Sequence, residues 1–217
     1  MNDPPKNWNP RVWRSRDIPK RSLCVNRLLP ILLLLSCGGP QRTDYDPGPE
    51  GIATTHLLSN TEFPHRVAEF RWQGNTLYDS EGMSASSEYR NRDGVLITVY
   101  VYPRPRVHPE PDADLRDELQ QSIYAMESVH TDFNLLLQEP HRLELGSRFL
   151  EGYFARATGT QSAEGIAFPV QTELYLFVEG PWFFKFRARS PLELAENSSD
   201  ATLEFLQMFL SNPDGLP

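Results

Sequence analysis

Residues 182–189, "WFFKFRAR", alternate apolar and cationic side chains along nearly their whole length. A strand turns successive side chains to opposite faces. Trp182, Phe184, Phe186 and Ala188 therefore share one side, and Phe183, Lys185, Arg187 and Arg189 the other. "VLITVYVY", residues 95–102, is almost wholly β-branched and aromatic. It sorts in the same way, Val95, Ile97, Val99 and Val101 against Leu96, Thr98, Tyr100 and Tyr102. The two segments call for a sheet with a deep apolar face, and Trp182, Phe184 and Phe186 are assigned to its core.

Further strands are expected at 84–90, 133–138, 147–158 and 172–178, with turns at Asp93-Gly94 and Glu179-Gly180-Pro181. No helix separates neighbouring strands within these runs, so the sheet is expected to be antiparallel with one face in water. Two helices interrupt the series. Residues 112–129 place Leu115, Leu119, Ile123 and Met126 on one stripe, with Asp112 and Asp114 at the start as capping carboxylates. Residues 199–210 turn Leu203, Leu206, Phe209 and Leu210 inward. "SPLE", 190–193, has capping-box spacing with proline at the first helical position, which predicts a short turn.

Strands, helix, strands, helix describe an α+β domain in which two main helices pack on an antiparallel sheet. The passage from "YVY" into a helix, and from "FFKFRAR" into a C-terminal helix, resembles the Mog1/PsbP-like group over about residues 62–211. The resemblance implies an antiparallel sheet lying between helices. It also implies a binding or assembly accessory rather than an enzyme, by fold analogy alone.

The N-terminal part has a different character. "LLPILLLL", residues 28–35, is too short to cross a membrane, which takes about 20 apolar residues. It is long enough for the apolar region of an export signal, about 7–15 residues. Leu34-Leu35-Ser36-Cys37 then resembles the lipobox of bacterial lipoproteins, with a serine before the cysteine. The resemblance implies cleavage after Ser36 and lipid on the Cys37 sulfur and on its new amino group. Several acyl chains would hold the protein at a membrane without any spanning helix. Gly38 in place of aspartate favours the outer membrane by the same analogy. Two readings of the stretch before Leu28 stand side by side. Either the true start lies downstream, for instance at Val25, or Lys20-Arg21-Ser22-Leu23 is a distant relative of the twin-arginine signal. The expected organisation is a signal peptide over 1–36, a lipidated cysteine with a flexible tether over 37–61, and a globular domain over 62–217.

Charge supports export. Of 21 basic and 29 acidic residues, seven and two fall before Cys37, leaving 14 basic against 27 acidic from Cys37 onward. Such an acidic body argues against nucleic acid as a partner. Cys37 is the last cysteine, so the mature body has no intrachain disulfide, thiolate nucleophile or cysteine ligand for zinc.

Candidate chemistry is sparse. "GMSAS", 82–86, lacks the second glycine of a nucleophile elbow and reads as a turn leading into a strand. No histidine pair has helical zinc spacing. His108, Glu110, Asp112 and Asp114 alternate in "HPEPDAD" and could gather on a hard cation in an extended chain, although the prolines oppose this. Arg104 and Arg106 suit an anionic ligand. Lys185, Arg187 and Arg189 could dock an acidic partner or lipid headgroups, or simply pair with nearby carboxylates. No complete catalytic set and no cofactor motif is present. The resulting expectation is a lipid-anchored cell-envelope protein with its domain in the periplasm. It would bind the membrane through Cys37, with an envelope protein as a further expected partner. The alternative is an envelope hydrolase or metal-binding protein using the segment from His108 to Asp112.

Overall fold

The computed structural model describes residues 51–104, 112–163 and 165–211. Its centre is the pairing of the two strands on which the alternation is clearest, β6 (Leu96–Pro103) and β10 (Trp182–Pro191). They run antiparallel with Phe184 opposite Val101, Phe186 opposite Val99 and Ala188 opposite Ile97, so apolar side chains meet on one face. On one side, β5 (Ala85–Arg90), β4 (Phe70–Leu77) and β3 (Arg66–Val67) continue outward. On the other come β9 (Ile166–Glu179), β8 (Arg148–Ala163) and β7 (Thr131–Leu145). The result is one antiparallel sheet in the order β3-β4-β5-β6-β10-β9-β8-β7. Both expected turns are present. Gly180 joins β9 to β10 at φ 57°, a left-handed conformation that favours glycine.

Each face of the sheet carries one helix. α2 (Ala195–Leu210) lies on the face of Val95, Ile97, Val99, Val101, Trp182, Phe184 and Phe186. There Phe205 is fully buried, with ring centres of Tyr89, Phe70 and Phe209 at 5.0, 5.3 and 5.7 Å. Truncating a ring in such a site costs about 3–5 kcal/mol. The same layer is extended by a hairpin of β1 (Ile52–His56) and β2 (Thr61–Pro64), whose Phe63 meets Phe209 at 5.9 Å. α1 (Ala113–Glu127) lies on the opposite face, where Leu115, Leu119, Ile123 and Met126 pack on Ala155, Leu174, Leu176 and Phe183. The α+β class is therefore as expected, with one helix on each side of an antiparallel sheet.

Several local expectations need correction. The face expected to be wet is half covered, because α1 shields its β8–β9–β10 side. β1 falls within the stretch read as tether: Ala53 and His56 are buried, with the His56 ring edge-on to Trp182 at 5.2 Å. Asp112 makes no side-chain cap at the start of α1. It accepts instead from Arg116 at 2.6 Å and from the Tyr153 hydroxyl at 2.8 Å. Asp114 turns to Arg104. The short turn expected after Ser190 exists as one turn of 3-10 helix (Leu192–Leu194), but Ser190 accepts from the Ser198 hydroxyl at 2.9 Å rather than closing a capping box. In α2, Phe205 joins the inward residues and Leu203 is only partly buried.

The sheet's two outer strands differ from the inner ones. β3 is two residues long. β7 is long, but its pairing with β8 slips twice, between Thr131 and Asn134 and between Leu135 and Leu137, and it contains Pro140. Proline lacks the N–H that an inner strand would need and is tolerated at an edge.

Candidate functional site

Of the charged side chains singled out from the sequence, Lys185, Arg187 and Arg189 share the α1 face of β10, and the structure divides them. Lys185 points under α1. Its ammonium is 3.1 Å from Glu118 Oε1 and 3.2 Å from Ser122 Oγ, with ring centres of Tyr102 and Tyr100 at 4.9 and 5.1 Å. The Tyr102 hydroxyl donates to the same Glu118 oxygen at 2.5 Å. Burial pulls the Lys185 pKa below its ordinary value while Glu118 opposes the change. Burial, then Glu118, drives the Tyr102 phenol far upward. Lys185 is therefore a tie between helix and sheet.

Arg187 and Arg189 lie beyond the helix. The Arg187 guanidinium stands 5.5 Å from the Tyr100 ring centre. Arg189 donates to Gln161 Oε1 at 2.8 Å. Gln161 in turn contacts His130 Nε2 at 3.0 Å, and His130 Nδ1 faces the Met126 carbonyl at 2.6 Å. A ring nitrogen facing a carbonyl must carry the proton, so Nε2 is the acceptor. This chain of contacts anchors the end of α1 to β8 and β10.

Strand register adds cations that no local motif shows. Arg71 pairs with Arg90, Arg90 with Leu96, and Leu96 with Arg189. Three arginines thus share one row across β4, β5 and β10, with Arg187 two residues along β10. With strands about 4.8 Å apart, the row spans about 14 Å. Burial lowers the Arg189 pKa, and Arg187 and Arg90 push it the same way, with Glu88 opposing. At the outer end, Glu69, Arg71, Gln73, Arg90, Asn91 and Arg92 line an open depression of about 410 Å³. Arg71, Arg90 and Arg92 are exposed. The one carboxylate in the depression, Glu69, accepts from Asn91 Nδ2 at 2.6 Å.

The remaining candidates are dispersed. Arg104 donates to Asp114 at 2.6 Å with its side chain 11% exposed, fixing the end of β6 to α1. Arg106, His108 and Glu110, like Cys37, lie outside the described residues. Among the described residues no three His, Cys, Asp or Glu side chains converge as a metal site. Two polar clusters outside this face are buried and hold elements together. Glu173, 3% exposed, accepts from Arg156, Ser199, Gln171 and Tyr175 beneath the start of α2. His56 Nδ1 accepts from Ser59 Oγ at 2.6 Å, and Nε2 donates to the Gly82 carbonyl at 2.8 Å, which pins the β1–β2 hairpin to the turn before β5. This Ser–His contact has a nucleophile's chemistry but not its access, since Ser59 is 1% exposed.

Arg71, Arg90 and Arg92 were missed as a group because only the pairing of β4 with β5 sets Arg71 beside Arg90 and Arg92, which are two residues apart in the chain. The available sequence signal was the alternation "EYR" that continues the β5 pattern. Guanidiniums stay charged at any ordinary pH, so the cluster can hold an oxyanion but cannot act as an acid or base. No protein-family model matches the chain, and no curated protein matches it.

Proposed function

We propose that this is a lipid-anchored cell-envelope protein whose periplasmic domain binds a partner or ligand and catalyses no reaction. The observation that carries the reading is Leu34-Leu35-Ser36-Cys37 at the end of a short apolar run, followed by "GGPQRTDYDPGPEG" ahead of the first strand. Proline, glycine and aspartate there leave little apolar surface to repay ordering, as a tether requires. The fold adds support for a Mog1/PsbP-like arrangement, in that helices lie on both faces of an antiparallel sheet. A binding role is favoured because Arg71, Arg90 and Arg92 stand exposed around one depression, whereas the Ser59–His56 contact is buried. Asp112 and Asp114, needed by the hydrolase or metal reading, are held by Arg116, Tyr153 and Arg104.

The test is expression of the full chain in a bacterial host, followed by membrane fractionation and mass spectrometry of the mature N-terminus. The expected result is a chain starting at acylated Cys37 in the membrane fraction, and a Cys37→Ala variant released or left unprocessed. An intact N-terminus without acyl groups in the cytosol overturns the anchor.

A further inference from the structure

We propose that the uncovered half of the α1 face is a binding site for a compact phosphate-bearing anion, built by Arg71, Arg90 and Arg92 and continued by Arg189 and Arg187. Four observations lead there. The first is like charge placed against like charge: Arg71 and Arg90 are direct cross-strand partners, an arrangement that costs stability unless something neutralises it. The second is the absence of that neutraliser within the protein. Among the described residues, Arg71, Arg90, Arg92 and Arg187 have no carboxylate at ion-pair distance, in a body where acidic residues outnumber basic ones about two to one. The third is shape, since Arg71, Arg90 and Arg92 line a depression large enough for one phosphate group or a phospholipid headgroup. The fourth is that the carboxylate lining the depression, Glu69, is turned to Asn91, while Glu88, on the same face, stands beyond ion-pair distance of these arginines.

A planar guanidinium presents two parallel N–H bonds to a phosphate or carboxylate edge. Arginines on adjacent strands, about 4.8 Å apart, can share the oxygens of one tetrahedral phosphate. The acidic remainder of the body works against a long polyanion, whose flanks would meet repulsion, and favours a small dense charge. Lys185 takes no part, because Glu118 holds it under α1. The ligand is therefore a free phosphate compound or a lipid headgroup.

The inference rests on the binding-domain reading but not on the anchor, so the experiment uses the full chain carrying Cys37→Ala. Titration calorimetry with pyrophosphate at low ionic strength tests the free ligand. Flotation with phosphatidylcholine vesicles, with and without phosphatidylglycerol, tests the headgroup. Binding in either arm that weakens with added salt is expected, and which arm responds identifies the source. Arg71→Gln with Arg90→Gln should weaken it about tenfold or more, since each substitution removes a charge-assisted donor. Arg92→Gln should give a smaller loss of the same sign. Arg142→Gln, whose exposed guanidinium lies 3.6 Å above the Phe149 ring, should change nothing. The double variant should melt no lower than the parent, because it removes a repulsion. Failure of both arms, equal binding to neutral vesicles, or unchanged affinity in the double variant overturns the site. Membrane fractionation of the wild-type chain reports separately on the anchor.

Discussion

Replacing Glu118 by leucine is expected to destabilise the protein more than replacing Lys185 by methionine. The two charges are 3.1 Å apart, with side chains 16% and 19% exposed. At an effective dielectric of about 20 their attraction is about 5 kcal/mol, a gross figure that desolvation of both groups largely offsets. Breaking such a pair costs about 3–5 kcal/mol when one charge is left buried alone. In Lys185→Met, Glu118 keeps the Tyr102 and Ser122 hydroxyls as donors, which brings the expected loss down to about 2 kcal/mol. In Glu118→Leu, the ammonium keeps only Ser122 and two ring faces beside Arg187, so about 3–4 kcal/mol is expected. The double variant should lose about 2 kcal/mol less than the sum of the singles. Urea unfolding at neutral pH, followed by tryptophan fluorescence, measures all four proteins. pH supplies an independent check. The Lys185 pKa is already lowered by burial, and losing Glu118 lowers it further. A lysine whose folded pKa lies below the unfolded value is penalised while charged and relieved as pH rises through the folded value. The Glu118→Leu deficit should therefore shrink toward alkaline pH, while that of Lys185→Met should not shrink in this way. Equal losses below about 1 kcal/mol for both single variants would refute the buried tie.

Tyr89 is fully buried between Phe205 and Phe209, and its hydroxyl finds no partner among the described residues. Tyr89→Phe should therefore stabilise by about 1 kcal/mol, read as a higher urea midpoint at constant slope, and a loss of stability would reveal a bond to that oxygen. His56 has its pKa lowered, chiefly by burial, and so does His141. Their contribution is complete above the unfolded value of about 6.5 and is lost as pH falls below it toward the folded values. Melting scans between pH 7.5 and 5.5 should show this decline, and it should be smaller in His56→Asn. Gly152→Ala should cost about 1–3 kcal/mol, since a Cβ there would stand 2.1 Å from the Leu176 carbonyl oxygen and 2.7 Å from the Phe177 ring. Thermal unfolding checks it, and an unchanged midpoint would mean that β8 and β9 yield at no cost.

The parts of the fold legible in the sequence were those with an unbroken period. Residues 95–102 and 182–189 declared both faces of their strands, and the stripe from Leu115 to Met126 declared α1. β4 was not legible because "FRWQGNTL" mixes polar residues with glycine, and its register slips between Trp72 and Gly74, which breaks the alternation. The cations of β10 suggested water on their face. Burying Lys185 took a carboxylate from a helix 67 residues earlier in the chain, and no local pattern carries such a pairing. The arginine cluster was hidden for the same reason, since its members come from three stretches of the chain and only strand order brings those stretches together.

The outer strands have a consequence for how copies of this protein behave when crowded. A sheet grows by adding chains wherever a straight row of free amides and carbonyls is offered. On one flank β3 covers only Phe70 and Arg71 of β4, whose remaining length is broken by a register shift between Trp72 and Gly74, and on the other two slips and a proline interrupt β7. Among the described residues neither flank offers a long unbroken ladder to climb onto, which favours neighbouring molecules standing shoulder to shoulder over fusing into a fibre.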